Sequence, residues 1–272
     1  MDFTKNINEV DLVFLDLETT GLNAVFGDSI CEIGAIKVRN GEIIDKYSSL
    51  INPGKPVSKR SFDVHKISDK ELKDAPFFEE LCDDVIKFLQ GSVICAYNVQ
   101  FDIGFIESYL KNHGRACLNL PTIDILSMAR DVLKLSRYNL DAVAKFFEID
   151  CSEGFHRALI DAEIAREVFF NLISIYKEKK IETLYEFVSL YGWAEDIIKL
   201  GENKRIAFLK EAIDKNLNIN MKFFSINNIL EEKVVMPLRI FQENREFCLL
   251  FQEEKYGSSN ISINRIFKAE PF

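Results

Sequence analysis

Three short stretches of this 272-residue chain put acids and a histidine where they could hold a cation and move a proton. In Asp16-Leu17-Glu18 the residues two apart share a face of an extended segment, so both carboxylates are presented together. Such a pair repels itself unless a cation lies between, and Mg²⁺ or Mn²⁺ prefers oxygen ligands of this kind. Two solvated acids at a loop entrance are the other reading. Asp102, in Asn98-Val99-Gln100-Phe101-Asp102, falls in the first turn of a helix, where it could bind metal or simply complement the helix dipole. His156 stands just outside a helix that carries Asp161 in its first turns. That gap can bring an imidazole and a carboxylate to one point, and histidine is suited to taking a proton from water near neutral pH.

The elements that must position these groups follow from apolar periodicity. An apolar run over 11–15, ending at Asp16, predicts a buried strand. Alternation over 29–38 and 42–51 predicts two more, joined by an Asn40-Gly41 hairpin turn. A loop with Pro53, Gly54, Pro56 and His65 follows, then an amphipathic helix over 76–89 and a short strand over 93–96. Residues 101–112 repeat apolar side chains at helical spacing, and further helices are expected over 124–133, 140–147 and 158–180. The order fits an α/β domain over 1–180, a helical linker over 181–202, and a β-rich domain over 203–272 in which Pro237 must sit at an edge or bulge.

Composition narrows the function. The net charge of −9 disfavours a coat protein for nucleic acid or a basic membrane-surface protein. No apolar run reaches the length of a membrane span, and residues 1–10 lack a signal-peptide pattern. The 6 cysteines are scattered without a C-x-x-C pair, which points to reduced, mostly buried thiols and a cytoplasmic protein.

Asp16, Glu18, Asp102, His156 and Asp161, in the strings D-x-E-T-T-G-L, N-x-x-F-D and H-x-x-x-x-D, resemble the DnaQ-like 3′→5′ exonucleases of the DEDDh subgroup. That family includes the proofreading epsilon subunit of bacterial DNA polymerase III. The resemblance covers 11–176 and implies a ribonuclease H-like α/β fold, a mixed sheet flanked by helices. It implies two divalent ions, Mg²⁺ or Mn²⁺, with Asp16 bridging both, Glu18 and Asp161 completing one site and Asp102 helping to hold the other. His156 would take the proton from the attacking water. Thr19, Thr20 and Leu22 would face the terminal nucleotide, with Asn98 and Phe101 beside the strand. Two positions depart from the family pattern: Tyr97 replaces a common histidine, and Lys66 replaces the glycine of an H-G-I-T loop written here His65-Lys66-Ile67-Ser68.

Residues 203–272 resemble a WYL domain in the order of elements, with Phe247-Cys248-Leu249 where the signature tripeptide falls and Asn260 where an arginine is common. A helix followed by a small β-barrel that binds nucleic acid or a regulatory ligand is implied, with Lys233, Arg239, Arg245 and Arg265 as candidate phosphate contacts. A packing or dimerisation appendage is the alternative. The whole reads as a metal-dependent exonuclease acting on 3′ ends of single-stranded or frayed DNA, in repair or turnover, with no membrane partner. RNA trimming, a polymerase-associated proofreading subunit and a catalytically idle binding module are the alternatives; the motifs do not distinguish DNA from RNA.

Overall fold

Strand β1 (Leu12–Thr19) is apolar at most positions because helices cover both its faces. In the computed structural model, which describes residues 1–152, 154–225, 230–243, 246–253 and 257–272, the chain forms two units, Met1–Ala194 and Glu195–Phe272.

In the first unit, β1 pairs antiparallel with β2 (Ile30–Arg39) and parallel with β4 (Val93–Ala96). With β3 (Glu42–Leu50), β5 (Thr122–Asp124) and β6 (Gly192–Trp193) the order is β3-β2-β1-β4-β5-β6, a mixed sheet as expected. Asn40 and Gly41 take positive φ angles of 52° and 80°, which closes the β2–β3 hairpin. Val13, Leu15 and Leu17 pack on α3 (Phe78–Leu89) and α4 (Val99–Asn112) through Val85, Leu89, Ile106 and Leu110. Phe14 faces the other way, meeting Phe169 of α7 (Ala158–Glu178) edge-on at 5.3 Å. Period two then sends Asp16 and Glu18 to the α7 side. The strand runs on to Thr19 because β2 keeps pairing with it, with a bulge between Glu18 and Thr19.

The segment after β3 is more ordered than the loop expected from its prolines. Ser58 caps α1 (Lys59–His65), and Ser68 with Glu71 forms a capping box on α2 (Asp69–Leu72). Helices α5 (Ile125–Val132) and α6 (Leu140–Phe146) lie close to expectation.

The stretch read as a linker over 181–202 is divided between the units. Thr183 and Glu186 box the start of α8 (Leu184–Tyr191), whose Phe187 and Tyr191 pack on Tyr176 of α7. Gly192 and Trp193 then join the sheet edge at β5, where the Thr122 carbonyl leaves no room for a Cβ at 192. The boundary therefore falls at 194/195. In the second unit α9 (Glu195–Asp214) precedes β7 (Ile219–Phe224), β8 (Leu230–Glu243), β9 (Glu246–Glu253), β10 (Gly257–Ser262) and β11 (Ile266–Pro271). These form an antiparallel sheet in the order β10-β9-β8-β7-β11. Strand β8 pairs first with β7 and then with β9, and its register shifts between Pro237 and Arg239, where the proline was expected. Leu209 and Ala212 of α9 close the core over Met221, Leu249 and Phe251. Among the described residues no helix is long and apolar enough to cross a membrane, and Cys31, Cys82, Cys95 and Cys248 are buried outside any disulfide.

Candidate active site

Asp16 and Glu18 leave β1 on one face, and α4 and α7 bring the other groups to them. A cavity of about 650 Å³ is lined by Asp16, Glu18, Phe101, Asp102, His156 and Asp161, among others. Glu18, His156 and Asp161 each offer a ligand atom within 4.8 Å of the others. Asp16 and Asp102 line the same cavity without joining that tight cluster. All five groups expected from the three motifs thus converge on one space.

Asp102 is buried, and its Oδ1 accepts from the Leu17 backbone N–H at 3.0 Å, joining α4 directly to β1. The helix itself starts from Asn98, a non-glycine residue with φ 78°. That turn is held by Asp124 at the end of β5, whose Oδ1 accepts from the N–H groups of Asn98 (2.9 Å) and Val99 (3.2 Å). The other oxygen of Asp124 caps α5 at the Ser127 N–H. One carboxylate therefore fixes two helix starts.

At α7 the arrangement is similar. Asp161 is buried, and its Oδ2 accepts from the His156 N–H at 2.8 Å. His156 is exposed and has φ 69°, a left-handed conformation costly for histidine. Next to it, Arg157 reaches back to Glu32 on β2, and Glu32 also accepts from the Ala158 N–H at 3.0 Å, capping the helix from outside. Sequence reasoning missed Glu32, Arg157 and Asp124. Arg157 lay inside the recognised string, but nothing local in the sequence ties it to a residue more than a hundred positions earlier.

The electrostatics are those of a cation site. Burial pushes the Asp16 carboxyl well above the usual carboxylate range, and the charges of Asp102, Asp161 and Glu18 push it further. Burial and then Asp161 and Glu32 raise Glu18 to about 8. Burial also raises Asp102 and Asp161, against the pull of the backbone N–H groups they accept from. The Oδ1 atom of Asp161 is buried without a hydrogen-bond partner. Clustered carboxylates, one open buried oxygen and an adjacent imidazole suit a hard divalent ion, so the residues present fit the metal that the motifs imply.

The expected substrate contacts are placed unevenly. The Thr19 hydroxyl donates to the Gly21 carbonyl at 2.5 Å, and the Thr20 hydroxyl accepts from the Ser29 N–H at 3.0 Å. Both shape the loop after β1. Leu22, in contrast, is 67% exposed. Phe101 packs on Phe105 with ring centroids 5.0 Å apart and lines the cavity, while Asn98 serves as the left-handed start of α4. Tyr97 donates to the Tyr138 carbonyl at 2.6 Å, steadying the wall that leads to α6. In the second unit, Lys233 pairs with Glu231 and Glu253, Arg239 lies over Phe241, and Arg265 donates to the Ser225 carbonyl; Arg245 is outside the described residues.

A mixed sheet flanked by helices, with clustered carboxylates and a histidine at its centre, defines a hydrolytic nuclease of ribonuclease H-like fold. The chain belongs to the exonuclease family whose model, RNase_T, matches residues 13–169. It is 39% identical over 167 residues to the DNA polymerase III subunit epsilon of Rickettsia conorii, covering 59% of this chain and 73% of that one. It is 31% identical over 242 residues to the PolC-type DNA polymerase III of Caldanaerobacter subterraneus subsp. tengcongensis. That match covers 85% of this chain and spans only 17% of the PolC-type relative. Among solved structures, E. coli Exonuclease I in complex with a dA16 oligonucleotide aligns with a TM-score of 0.61 at 14% identity, covering 94% of this chain and 64% of that one. The nuclease domain of 3′hExo, a DEDDh family member bound to rAMP, aligns with a TM-score of 0.55 at 14% identity, covering 63% of this chain and 95% of that one. At that identity both show the fold alone.

Proposed function

We propose that this exonuclease removes nucleoside monophosphates from the 3′ ends of single-stranded or frayed DNA. The reading rests on one observation: Glu18, His156 and Asp161 converge within 4.8 Å in a cavity that Asp16 and Asp102 also line. Asp16, Glu18, Asp102 and Asp161 would hold two divalent ions, Mg²⁺ or Mn²⁺, which when bound supply Lewis-acid activation of water and charge stabilisation at the scissile phosphate. His156 takes the proton of the attacking water, as its exposure at the cavity and its place beside Asp161 allow. Exposed Leu22 and cavity-lining Phe101 offer apolar faces to the terminal base. Thr19 and Thr20 set the loop that presents Leu22, and Asn98 sets the start of α4.

Matched DNA and RNA oligomers labelled at the 5′ end test this reading with Mg²⁺ and with Mn²⁺. A ladder shortening from the 3′ end, abolished by chelator and by Asp16→Ala or His156→Ala, is expected, with DNA cut faster. Faster cutting of RNA makes the enzyme an RNA-trimming relative instead. Shortening from the 5′ end, or indifference to both substitutions, overturns the reading. An idle binding module would show binding without cutting.

The epsilon relative favours a second role, proofreading beside a polymerase, because the match covers most of that subunit's length. Stoichiometric polymerase recovered with the protein would establish that role; its absence would favour a free-standing enzyme of repair or turnover in the cytoplasm. For the second unit, a helix followed by antiparallel strands supports a WYL-like binding module. Arg239, exposed over Phe241, is its candidate phosphate contact, and Arg239→Glu should then weaken oligonucleotide binding without changing the catalytic rate.

A further inference from the structure

Glu32 is a buried carboxylate standing directly across the β1–β2 pair from Glu18. Like charges so placed repel, and neither sheet pairing nor core packing calls for an acid here. Its oxygens are nevertheless fully engaged. Arg157 donates from Nε to both oxygens at 3.1 Å and from Nη2 to Oε1 at 2.7 Å, and Ala158 N–H donates to Oε2 at 3.0 Å. Asp161, in the same cluster, keeps Oδ1 without a partner. The two acids differ accordingly: Asp161 has an oxygen open to a cation, whereas Glu32 is saturated by donors from the start of α7.

Those donors are the two residues directly after His156. Its φ of 69° is held on one side by its own N–H on Asp161 and on the other by the guanidinium fork of the next residue. Gly34, two residues beyond Glu32 on the same face, lets the Ala158–Leu159 backbone lie against β2, since any Cβ there would strike it. The first turn of α7 thus rests on β2 at Gly34 and is pinned there by Glu32. We propose that Glu32 and Arg157 are positioning residues for the reaction, a clamp between β2 and α7 that holds the imidazole of His156 at the metal cluster. The clamp's catalytic consequence rests on the exonuclease reading above; its structural effect does not.

The test uses the full chain and the variants Glu32→Gln, Arg157→Ala and Arg157→Lys. Only 3 histidines are present, so their ring protons can be followed individually by NMR as Mn²⁺ is added. Paramagnetic broadening should fall most strongly on the ring whose signal His156→Gln removes. In Glu32→Gln and Arg157→Ala the broadening of that ring per bound Mn²⁺ should weaken severalfold as the ring moves away, while calorimetry gives Mn²⁺ affinity within about threefold of wild type. On the labelled oligomer, kcat should drop about 10–100-fold with KM nearly constant, the range seen when groups orienting a ligand are removed. Guanidinium ion should restore part of the Arg157→Ala rate, and Arg157→Ala should cost nothing further in a His156→Gln background. Should Arg157→Ala not fold, Arg157→Lys, which keeps the charge but not the fork, carries the same readouts.

Unchanged broadening in the folded variants overturns the clamp. A raised KM with unchanged kcat, or a further loss on top of His156→Gln, shows Arg157 touching the substrate itself and overturns it as well. If wild type releases nothing from 3′ ends the exonuclease reading falls, and the NMR comparison still decides whether the clamp exists.

Discussion

The backbone N–H of Leu17 donates to Oδ1 of Asp102 across the interior of the first unit, at 3.0 Å. One oxygen of this acid therefore ties α4 to the central strand while the side chain lines the cavity. Structure and chemistry are shared in one group, and substitution can separate them.

Asp102→Ala leaves the buried Leu17 N–H unpaired and should cost about 1–3 kcal/mol of stability as well as activity. Asp102→Asn keeps an acceptor oxygen but loses the charge. It should unfold near the wild-type denaturant midpoint and still fail to shorten the labelled oligomer. An Asn variant as unstable as the Ala variant would mean that the bond to Leu17 needs the carboxylate charge.

Glu18 makes the metal-free protein depend on pH in an unusual direction. Its folded value near 8 lies above the ordinary 4.5, so the folded state holds a proton that the unfolded state has lost between those limits. The stability from this group is complete below about 4.5 and is lost as pH rises through about 8. Denaturant unfolding in chelator should therefore show stability falling across that window, by an amount on the order of a few kcal/mol. Glu18→Gln should flatten the slope. Mn²⁺ affinity should rise over the same window, because the ligands must shed protons to bind. A rising stability in chelator would show that Glu18 ionises normally.

Lys66 occupies a left-handed position at the end of α1, with φ 60°, directly after buried His65. Glycine adopts that conformation without a Cβ penalty. Lys66→Gly should gain about 0.5–1 kcal/mol, read as a higher urea midpoint with an unchanged slope. Equal or lower stability would mean that the stem of Lys66 contributes more in place than its backbone costs.

The motif residues were legible because each lies within a few positions of a readable element. The apolar run of β1 fixes the face of Asp16 and Glu18, and helical periodicity fixes the first turns that carry Asp102 and Asp161. Helices α1 and α2 were hidden by the prolines before them, although Ser68 and Glu71 spell a capping box. The two-residue strand β6 carries too little pattern to be read, so nothing local in the sequence marks the division of the two units at 194/195. Glu32 and Asp124 were out of reach for a different reason. Their work consists of hydrogen bonds to backbone groups far away in sequence, Ala158 for one and Asn98 for the other. Only the sheet order brings those partners together.

Asp124 gives the sharpest test of that long-range design. Its Oδ1 holds the N–H groups of Asn98 and Val99 and its Oδ2 holds that of Ser127, so Asp124→Ala uncaps α4 and α5 together. Losing an N-cap costs about 1 kcal/mol, and two caps on one side chain should cost about twice that. The left-handed turn at Asn98 would then lose its restraint, and Asp102, within the first turn of α4, would lose its fixed position. The variant should show faster amide exchange over 98–102 and a lower kcat with Mn²⁺ saturating. Asp124→Asn, with one acceptor oxygen left, should hold one helix start and fall between wild type and alanine in stability. If Asp124→Ala loses stability while exchange over 98–102 stays slow, the α4 turn is held by the Leu17–Asp102 bond instead, and Asp124 serves α5 alone.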